Sequence, residues 1–506
     1  MDAASLLDVS LPEDLLQPLL TASNSSSLKE ALEILIEYSR TVVGRFDLAS
    51  KNILAKVLQL TQSIPNSSCQ YLLLSLKLLR NLSAGEITNQ NSFIEKNGVG
   101  LVLGLLRSMG LESDLDRGII RTALLVLANV LLAGEKHQRA IWCQFFPDEF
   151  VTLAGLRSQE TSDPLCMIIY ICCDGSPGLF EEFSGDKGLP VMAEIVRTVS
   201  LEDWFKLLVS RTCVEETHFP ILFSNLCQVC ASGNCEDSNS RDDTFSSEQA
   251  FLLRIIAEIV NERIEEITVP HDFALCVLGI FKRSIGGVDF FSRSKSSLPT
   301  ALTAINVLGY SLSILRDICA REVPAGSNED LSDVVDALQS YGLIELLLSL
   351  LRDLEPPAII QKVMSLNENQ EGTSVYLSKT CPYIGFRKDI VAVIGNSVYR
   401  RKHMQDEIRE RDGILLLLQQ CVVDEDNPFL REWSIWCVRN LLEGNAENQR
   451  VIADLELQGS IDLPELAGLG LKVEVDQKTR RAKLVPWTCL SARWKEWEEL
   501  NRKCRQ

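Results

Sequence analysis

Apolar residues three and four positions apart dominate this chain, and they recur in one order. Residues 69–107 show it most clearly. Leu72, Leu76 and Leu79 share one face of Tyr71–Asn81, which predicts a long helix with a single buried stripe. Gly85 breaks that segment. Asn91–Asn97 predicts a short helix carrying Phe93 and Ile94, and Gly98 turns the chain into a third helix over Val99–Arg107. Three such helices can share one wedge of core, but a lone wedge leaves a face open, so copies must stack.

Copies are marked by polar residues at fixed spacing. Asn81 is followed nine positions on by Gln90, and the pair returns as Asn129 with Gln138, Asn396 with Gln405 and Asn440 with Gln449. Gly98 and Gly413 each lie 17 residues after the Asn. Phe93, Ile408 and Phe183 lie five residues before Gly98, Gly413 and Gly188. A glycine there serves a positive φ or a close approach of two backbones. Asn81 to Asn129 is 48 residues, Asn396 to Asn440 is 44, and Asn129 to Asn225 is 96, twice the first. Armadillo and HEAT units run about 40–47 residues. The predicted fold class is all-α: an armadillo/HEAT-like right-handed α-solenoid with a small C-terminal β-hairpin. Leu315–Ile318 is a weaker copy with Asp317 in place of the Asn, and Gly342 opens the next helix.

The organisation follows. Residues 1–68 form an N-terminal helical cap, with helices at Leu15–Leu20, at Leu28–Val43 behind Ser27 as N-cap, and at 47–62 before Pro65. Residues 69–380 hold degenerate repeats with polar loop insertions at 231–248, 322–330 and 365–381. Residues 381–470 hold the two sharpest copies. In 471–506, Leu471–Val475 and Lys483–Val485 alternate apolar and charged residues around Asp476–Arg481, a hairpin pattern, and an amphipathic tail carries Trp494 and Trp497.

Composition narrows the function classes. The 506 residues are 46% hydrophobic and 24% charged, enough for a large core. A net charge of −19 repels a phosphate backbone, so nucleic acid is not an expected partner. Residues 472–506 depart from this with ten Lys/Arg against five Asp/Glu, which reads as a solvated basic tail. The 16 cysteines are scattered through apolar runs such as those at Cys172, Cys173, Cys276 and Cys437, as reduced buried thiols would be. The acidic start MDAASLLDVS lacks a basic signal region, and no uncharged run is long enough to span a membrane. The expected location is cytoplasmic, with a perinuclear or nuclear pool, and no membrane partner.

Candidate binding residues are Asn81, Asn129, Asn396 and Asn440, with Trp436 four residues before Asn440. An amide both donates and accepts, so a row of them can clamp an extended peptide backbone. The other reading has each Asn satisfying backbone groups at a helix end. Nuclear-transport adaptors place a Trp four residues before the Asn; here Lys77, Leu125 and Ala392 hold the other three positions. Asp424–Pro428 lacks the ligand alternation of a calcium loop and reads as Asn427 N-capping a helix that begins at Pro428. Cys227 and Cys230, with Cys235 nearby, have no second pair for zinc and read as buried thiols. His137, His218, His271 and His403 are isolated. Gly98, Gly100 and Gly104 follow no strand and precede no Lys-Ser/Thr, so they are not a phosphate loop. The basic run Arg400–Lys402, with Arg387, Lys388, Arg409 and Arg411, alternates with acids and reads as a solvated helix face or a contact for an acidic partner. No catalytic, cofactor or metal residues are expected.

Residues 381–459 resemble the C-terminal domain of the ataxin-10 family. The resemblance rests on Phe386–Asp389, Ile394–Asn396, Gln405–Asp406, Asp412–Ile414, Asp426–Phe429, Glu432–Trp433 and Arg439–Leu441, and the Gly470–Leu484 segment is similar to that family's ending. It implies an armadillo-like superhelix that acts as an intracellular interaction protein in cytokinesis and cell survival. It also implies partners that include an O-GlcNAc-type glycosyltransferase and G-protein β subunits, and self-association as a homo-oligomer. It carries over no catalytic residues. The expectation is a non-enzymatic protein–protein interaction scaffold. The alternative is an armadillo transport adaptor that reads linear basic signals in an acidic groove; net charge favours it and the sparse Trp/Asn array opposes it.

Overall fold

The structure, a computed structural model, describes residues 26–65, 67–109, 113–198, 203–216, 218–227, 245–263, 265–291, 296–321, 333–361, 379–455, 471–475 and 482–486. Helices follow one another in a repeating order. The described residues begin with α1 (Ser26–Tyr38), α2 (Val42–Ser50) and α3 (Ile53–Ser63). Next come α4 (Cys69–Leu82), α5 (Ile87–Glu95) and α6 (Gly98–Ser108), then α7 (Asp114–Leu131), α8 (Glu135–Phe145) and α9 (Asp148–Gly155). They are followed by α10 (Gln159–Gly175), α11 (Pro177–Ser184) and α12 (Leu189–Arg197). A short α13 (Asp203–Val209) runs on as a π-helical turn, Ser210–Glu215, before α14 (Phe219–Asn225). Then come α15 (Ser247–Arg263), α16 (His271–Gly287), α17 (Thr303–Ala320), α18 (Val334–Ser340) and α19 (Leu343–Asp353). The last helices among the described residues are α20 (Phe386–Ser397), α21 (Lys402–Glu410), α22 (Gly413–Leu418), α23 (Leu430–Leu442) and α24 (Ala446–Ala453).

Helices α1, α4, α7, α10, α13, α15, α17, α20 and α23 pack each upon the next as one long layer. The intervening helices stack behind it. Each long helix buries a stripe on its neighbours, so the core is one continuous apolar cluster from Leu28 to Leu441. That succession is an all-α solenoid. Among the described residues no single helix is long and apolar enough to cross a membrane. Strands β1 (Leu471–Val475) and β2 (Ala482–Pro486) pair antiparallel, with Val473 opposite Leu484.

Local departures from the sequence reading have physical causes. The segment 47–62 is not one helix: α2 ends at Ser50 and α3 starts at Ile53, because Asn52 adopts a left-handed φ of 52°. Ser27 lies inside α1 and is not its N-cap. Asn225 sits at the exposed end of the short α14, in the rear layer, so the 96-residue interval does not mark a long-helix position. Ser247 and Glu248 already belong to α15. Lys379 bridges Leu354, and the Thr380 N–H donates to Phe290 O at 2.6 Å, so 379–381 is tied to the stack. The segments 15–20, 231–244, 322–330, 365–378, 476–481 and 492–506 lie outside the described residues.

The glycine register reflects crowding. A Cβ on Gly98 would stand 2.8 Å from the Phe93 ring, and one on Gly413 would stand 2.8 Å from Ile408 Cγ2. On Gly188 it would overlap the Phe183 carbonyl. Positive φ falls one residue earlier, on Asn97 and Asp412 at 54° and 53°.

Candidate functional site

The repeated asparagines stand at the joints between consecutive long helices. Asn81 Nδ2 donates to Ile36 O at 3.1 Å, and Asn129 Nδ2 to Arg80 O at 2.8 Å. Asn396 Nδ2 donates to Arg316 O and Asn440 Nδ2 to Gly395 O, both at 3.0 Å. Except at Asn81, the acceptor is the residue just before the preceding Asn, or before Asp317 in its place. Ile36 O, Arg80 O and Gly395 O lie in the last turns of their helices, where intrahelical donors run out, and Arg316 O lies just before the last turn of α17. The amides thus serve backbone groups on the neighbouring helix, one repeat back. All four side chains are half-buried.

The glutamines complete the joint. Gln90 Nε2 donates to Ser83 O at 3.0 Å and to Asn129 O at 2.8 Å. Gln405 Nε2 does the same to Val398 O at 3.2 Å and Asn440 O at 2.8 Å. Gln449, with no described repeat beyond it, reaches only Leu442 O at 2.8 Å. Gln138 breaks the pattern: it is buried against Gly175 and its Oε1 has no hydrogen-bond partner. One joint was missed in the sequence. Asn261 Nδ2 donates to Asp317 Oδ2 at 3.3 Å, and the residue nine after Asn261 is Pro270.

The last joints hold the motifs of residues 386–448. Asn427 does not cap its own helix. It is buried, its Oδ1 accepts the Arg387 N–H at 2.9 Å, and so it caps α20 in the preceding repeat. Phe429, with φ 64°, precedes α23 instead. The Arg387 guanidinium is buried too, donating to Gln420 Oε1 at 3.2 Å and to Glu355 O, with Asp424 at 3.9 Å. Tyr383 donates to Asp389 Oδ2 at 2.9 Å; burial first, then the Asp389 charge, pushes its phenol well up. Gly395 lets α20 and α23 close together, since a Cβ there would lie 3.1 Å from Cys437 Cα and Cβ. The alternating charges are a solvated face only in part: Arg400, Lys402, Glu410 and Asp412 are exposed, while others reach acids of neighbouring units. Arg401 pairs with Asp333 at 2.5 Å, Arg409 with Glu447 at 2.9 Å and Arg411 with Glu345 at 3.3 Å, each across repeats.

Among the described residues, the last long helix, α23, is where the stack opens. Shifted back by 44 residues, Ile435 and Trp436 fall on Val391 and Ala392, both fully buried between neighbouring helices. Ile435 is 55% exposed and Trp436 56% exposed. Phe429, at the start of α23, is 71% exposed. The Arg439 guanidinium lies 4.8 Å from the Trp436 ring centroid, occupying one face of the indole.

The remaining candidates come apart. Cys227 is exposed rather than buried, and Cys230 and Cys235 lie outside the described residues. Cys172, Cys173 and Cys437 are buried and Cys276 is half-buried. Burial pushes the thiols of Cys166, Cys172 and Cys213 up to about 12. Among the described residues no cluster of His, Cys, Asp or Glu could hold a metal ion.

These observations define a class first: a helical-repeat solenoid whose units are tied by side-chain amides. Comparison with known proteins gives its likenesses. A profile of the spinocerebellar ataxia type 10 protein domain matches residues 386–485. Ataxin-10 of Xenopus tropicalis is 25% identical over 421 residues, 81% of this chain and 80% of its own length. Ataxin-10 of Homo sapiens is 23% identical over 432 residues, 81% of each chain. An ataxin-10 homolog of Dictyostelium discoideum is 42% identical over 103 residues, 20% of this chain and 17% of its own. The chain is thus similar to ataxin-10 proteins over about four fifths of its length, and most strongly over the matched domain near its C-terminal end.

Proposed function

We propose that this chain is a non-enzymatic interaction scaffold of the ataxin-10 type that joins a second copy of itself through the open end of its stack. On this reading it works in the cytoplasm, in cytokinesis and cell survival. The other partners implied by the family resemblance, an O-GlcNAc-type glycosyltransferase and G-protein β subunits, belong to the same proposal. One observation carries it: Ile435 and Trp436 are open where their counterparts one repeat earlier are fully buried. Closing off the exposed halves of two large apolar side chains favours association by about 1–3 kcal/mol.

Light scattering after size exclusion tests this across roughly 1–100 µM, where a contact of about 6–8 kcal/mol is populated. The intact chain should dimerise, and Ile435→Asp with Trp436→Glu should return it to monomer. A monomer throughout, or equal association by the double variant, rejects the self-joined scaffold. The transport-adaptor reading is favoured by the net charge of −19. Against it, the asparagine amides are engaged at the joints and Arg439 already occupies one face of the Trp436 indole.

A further inference from the structure

Cations along the long-helix layer are paired with acids nearly everywhere. Lys206 meets Glu258 at 3.1 Å and Glu262 at 3.5 Å. Arg254 meets Glu258 at 3.1 Å, and Arg316 meets Asp317 at 2.8 Å and Asp389 at 3.7 Å. The N-terminal part differs. Lys77 and Arg80 on α4 and Arg121 on α7 have no carboxylate within ion-pair distance among the described residues, in a chain with 69 acids against 50 bases. Lys77 lies one turn before Asn81, and Arg121 lies two turns before Asn129, so these cations share the helix faces that carry the asparagines. Arg80 and Arg121 belong to adjacent, closely packed helices.

We infer that this basic face, centred on Lys77, Arg80 and Arg121, docks an acidic peptide segment of a partner protein. Its arginines are gathered and positioned. Arg80 Nη2 donates to Asn81 Oδ1 at 3.2 Å, and the Arg80 carbonyl is fixed by Asn129. Burial first, then repulsion from Arg121 and Arg40, holds the Arg80 guanidinium below its usual value. Arg40 has a counter-charge, Glu37 at 3.0 Å, but Arg80 and Arg121 have none among the described residues; like charges so held are unfavourable in the free protein, and an incoming carboxylate relieves them. Guanidinium groups bind carboxylates through paired N–H donors, which favours an Asp/Glu-rich segment. This surface lies at the other end of the repeat array from Trp436, so the inference stands or falls independently of self-association.

The test uses the full chain and a fluorescein-labelled, glutamate-rich peptide of about ten residues, with glutamine-rich and lysine-rich peptides as comparisons, read by anisotropy at low and high salt. The glutamate peptide should bind at low salt, release as salt rises, and bind at least tenfold more weakly to Lys77→Gln/Arg80→Gln/Arg121→Gln. Arg121→Glu alone, an exposed substitution that leaves the joints intact, should weaken it several-fold if the triple variant misfolds by circular dichroism. Failure of the glutamate peptide to bind, equal binding by folded variants, or tighter binding of the lysine peptide each overturns the inference.

Discussion

Replacing Asn440 with Ala isolates one joint of the stack. Its amide supplies the hydrogen bond to Gly395 O at 3.0 Å, and its own carbonyl accepts from Gln405 at 2.8 Å. Alanine removes the first bond and leaves the second geometrically possible. Gly395 is buried and its carbonyl lies in the last turn of α20. The Tyr399 N–H, four residues on, bonds Asn396 O instead. Losing a buried acceptor's partner costs about 1–3 kcal/mol. In a repeat array that cost falls on the nearest interface rather than on the whole chain. Hydrogen exchange is therefore the assay: amides of α23 and α24 should open about 5- to 140-fold more often, with α4 and α7 unchanged. Asn440→Asp should be at least as damaging, since it sets an oxygen against the Gly395 carbonyl. Asn225→Ala, at an exposed position, should have no effect. Unchanged exchange in both Asn440 variants would refute the joint as a source of stability.

Other outcomes follow from the same geometry. Gly395→Ala should destabilise by about 1–3 kcal/mol in urea titration, because its Cβ would press on Cys437 at 3.1 Å and part α20 from α23. Arg387→Met should cost about 3–5 kcal/mol and lower the melting temperature, since it strands Asp424, Gln420 and the Glu355 carbonyl around a buried gap. Iodoacetamide at mildly alkaline pH should label Cys143 and Cys227, which are exposed, and spare Cys166, Cys172 and Cys213 until unfolding, as peptide mass spectrometry would show. Above about pH 9 the unfolded chain ionises those three thiols while the native chain keeps their protons. Native stability should therefore fall as pH rises through 9 towards 12.

The architecture was legible because its determinants are periodic. Apolar stripes mark the long helices, and an amide in the last turn marks each joint, so Asn81, Asn129, Asn396 and Asn440 could be found by counting. The unread parts depend on partners far away in sequence. Asn427 before a proline satisfies every local rule for an N-cap, but tertiary contact commits it to Arg387, 40 residues back. Arg401, Arg409 and Arg411 look like members of an alternating surface, whereas their acids Asp333, Glu447 and Glu345 come from other repeats. Asn261 escaped because its joint runs backwards: Asp317 cannot donate an amide proton, so the earlier helix supplies the donor.

The last described joint is built from the same bonds, differently arranged. In the inner joints the helix end leaves one carbonyl, Arg80 O or Gly395 O, for the next asparagine. At the last described repeat the corresponding carbonyl, Arg439 O, instead accepts from its own helix end, through Glu443 N–H at 3.0 Å. Gln405 and Gln449 take the carbonyls of Asn440 and Leu442. The polar half of this joint is closed while Ile435 and Trp436 remain open. A molecule that docks there need not supply an asparagine; it must cover apolar surface, so its binding should depend weakly on salt. At the N-terminal face the unpaired groups are cations, and binding there should weaken steeply with ionic strength. Measuring association of the intact chain and of the glutamate peptide over one salt series therefore separates the two surfaces. Equal salt dependence would mean that both measurements report the same contact.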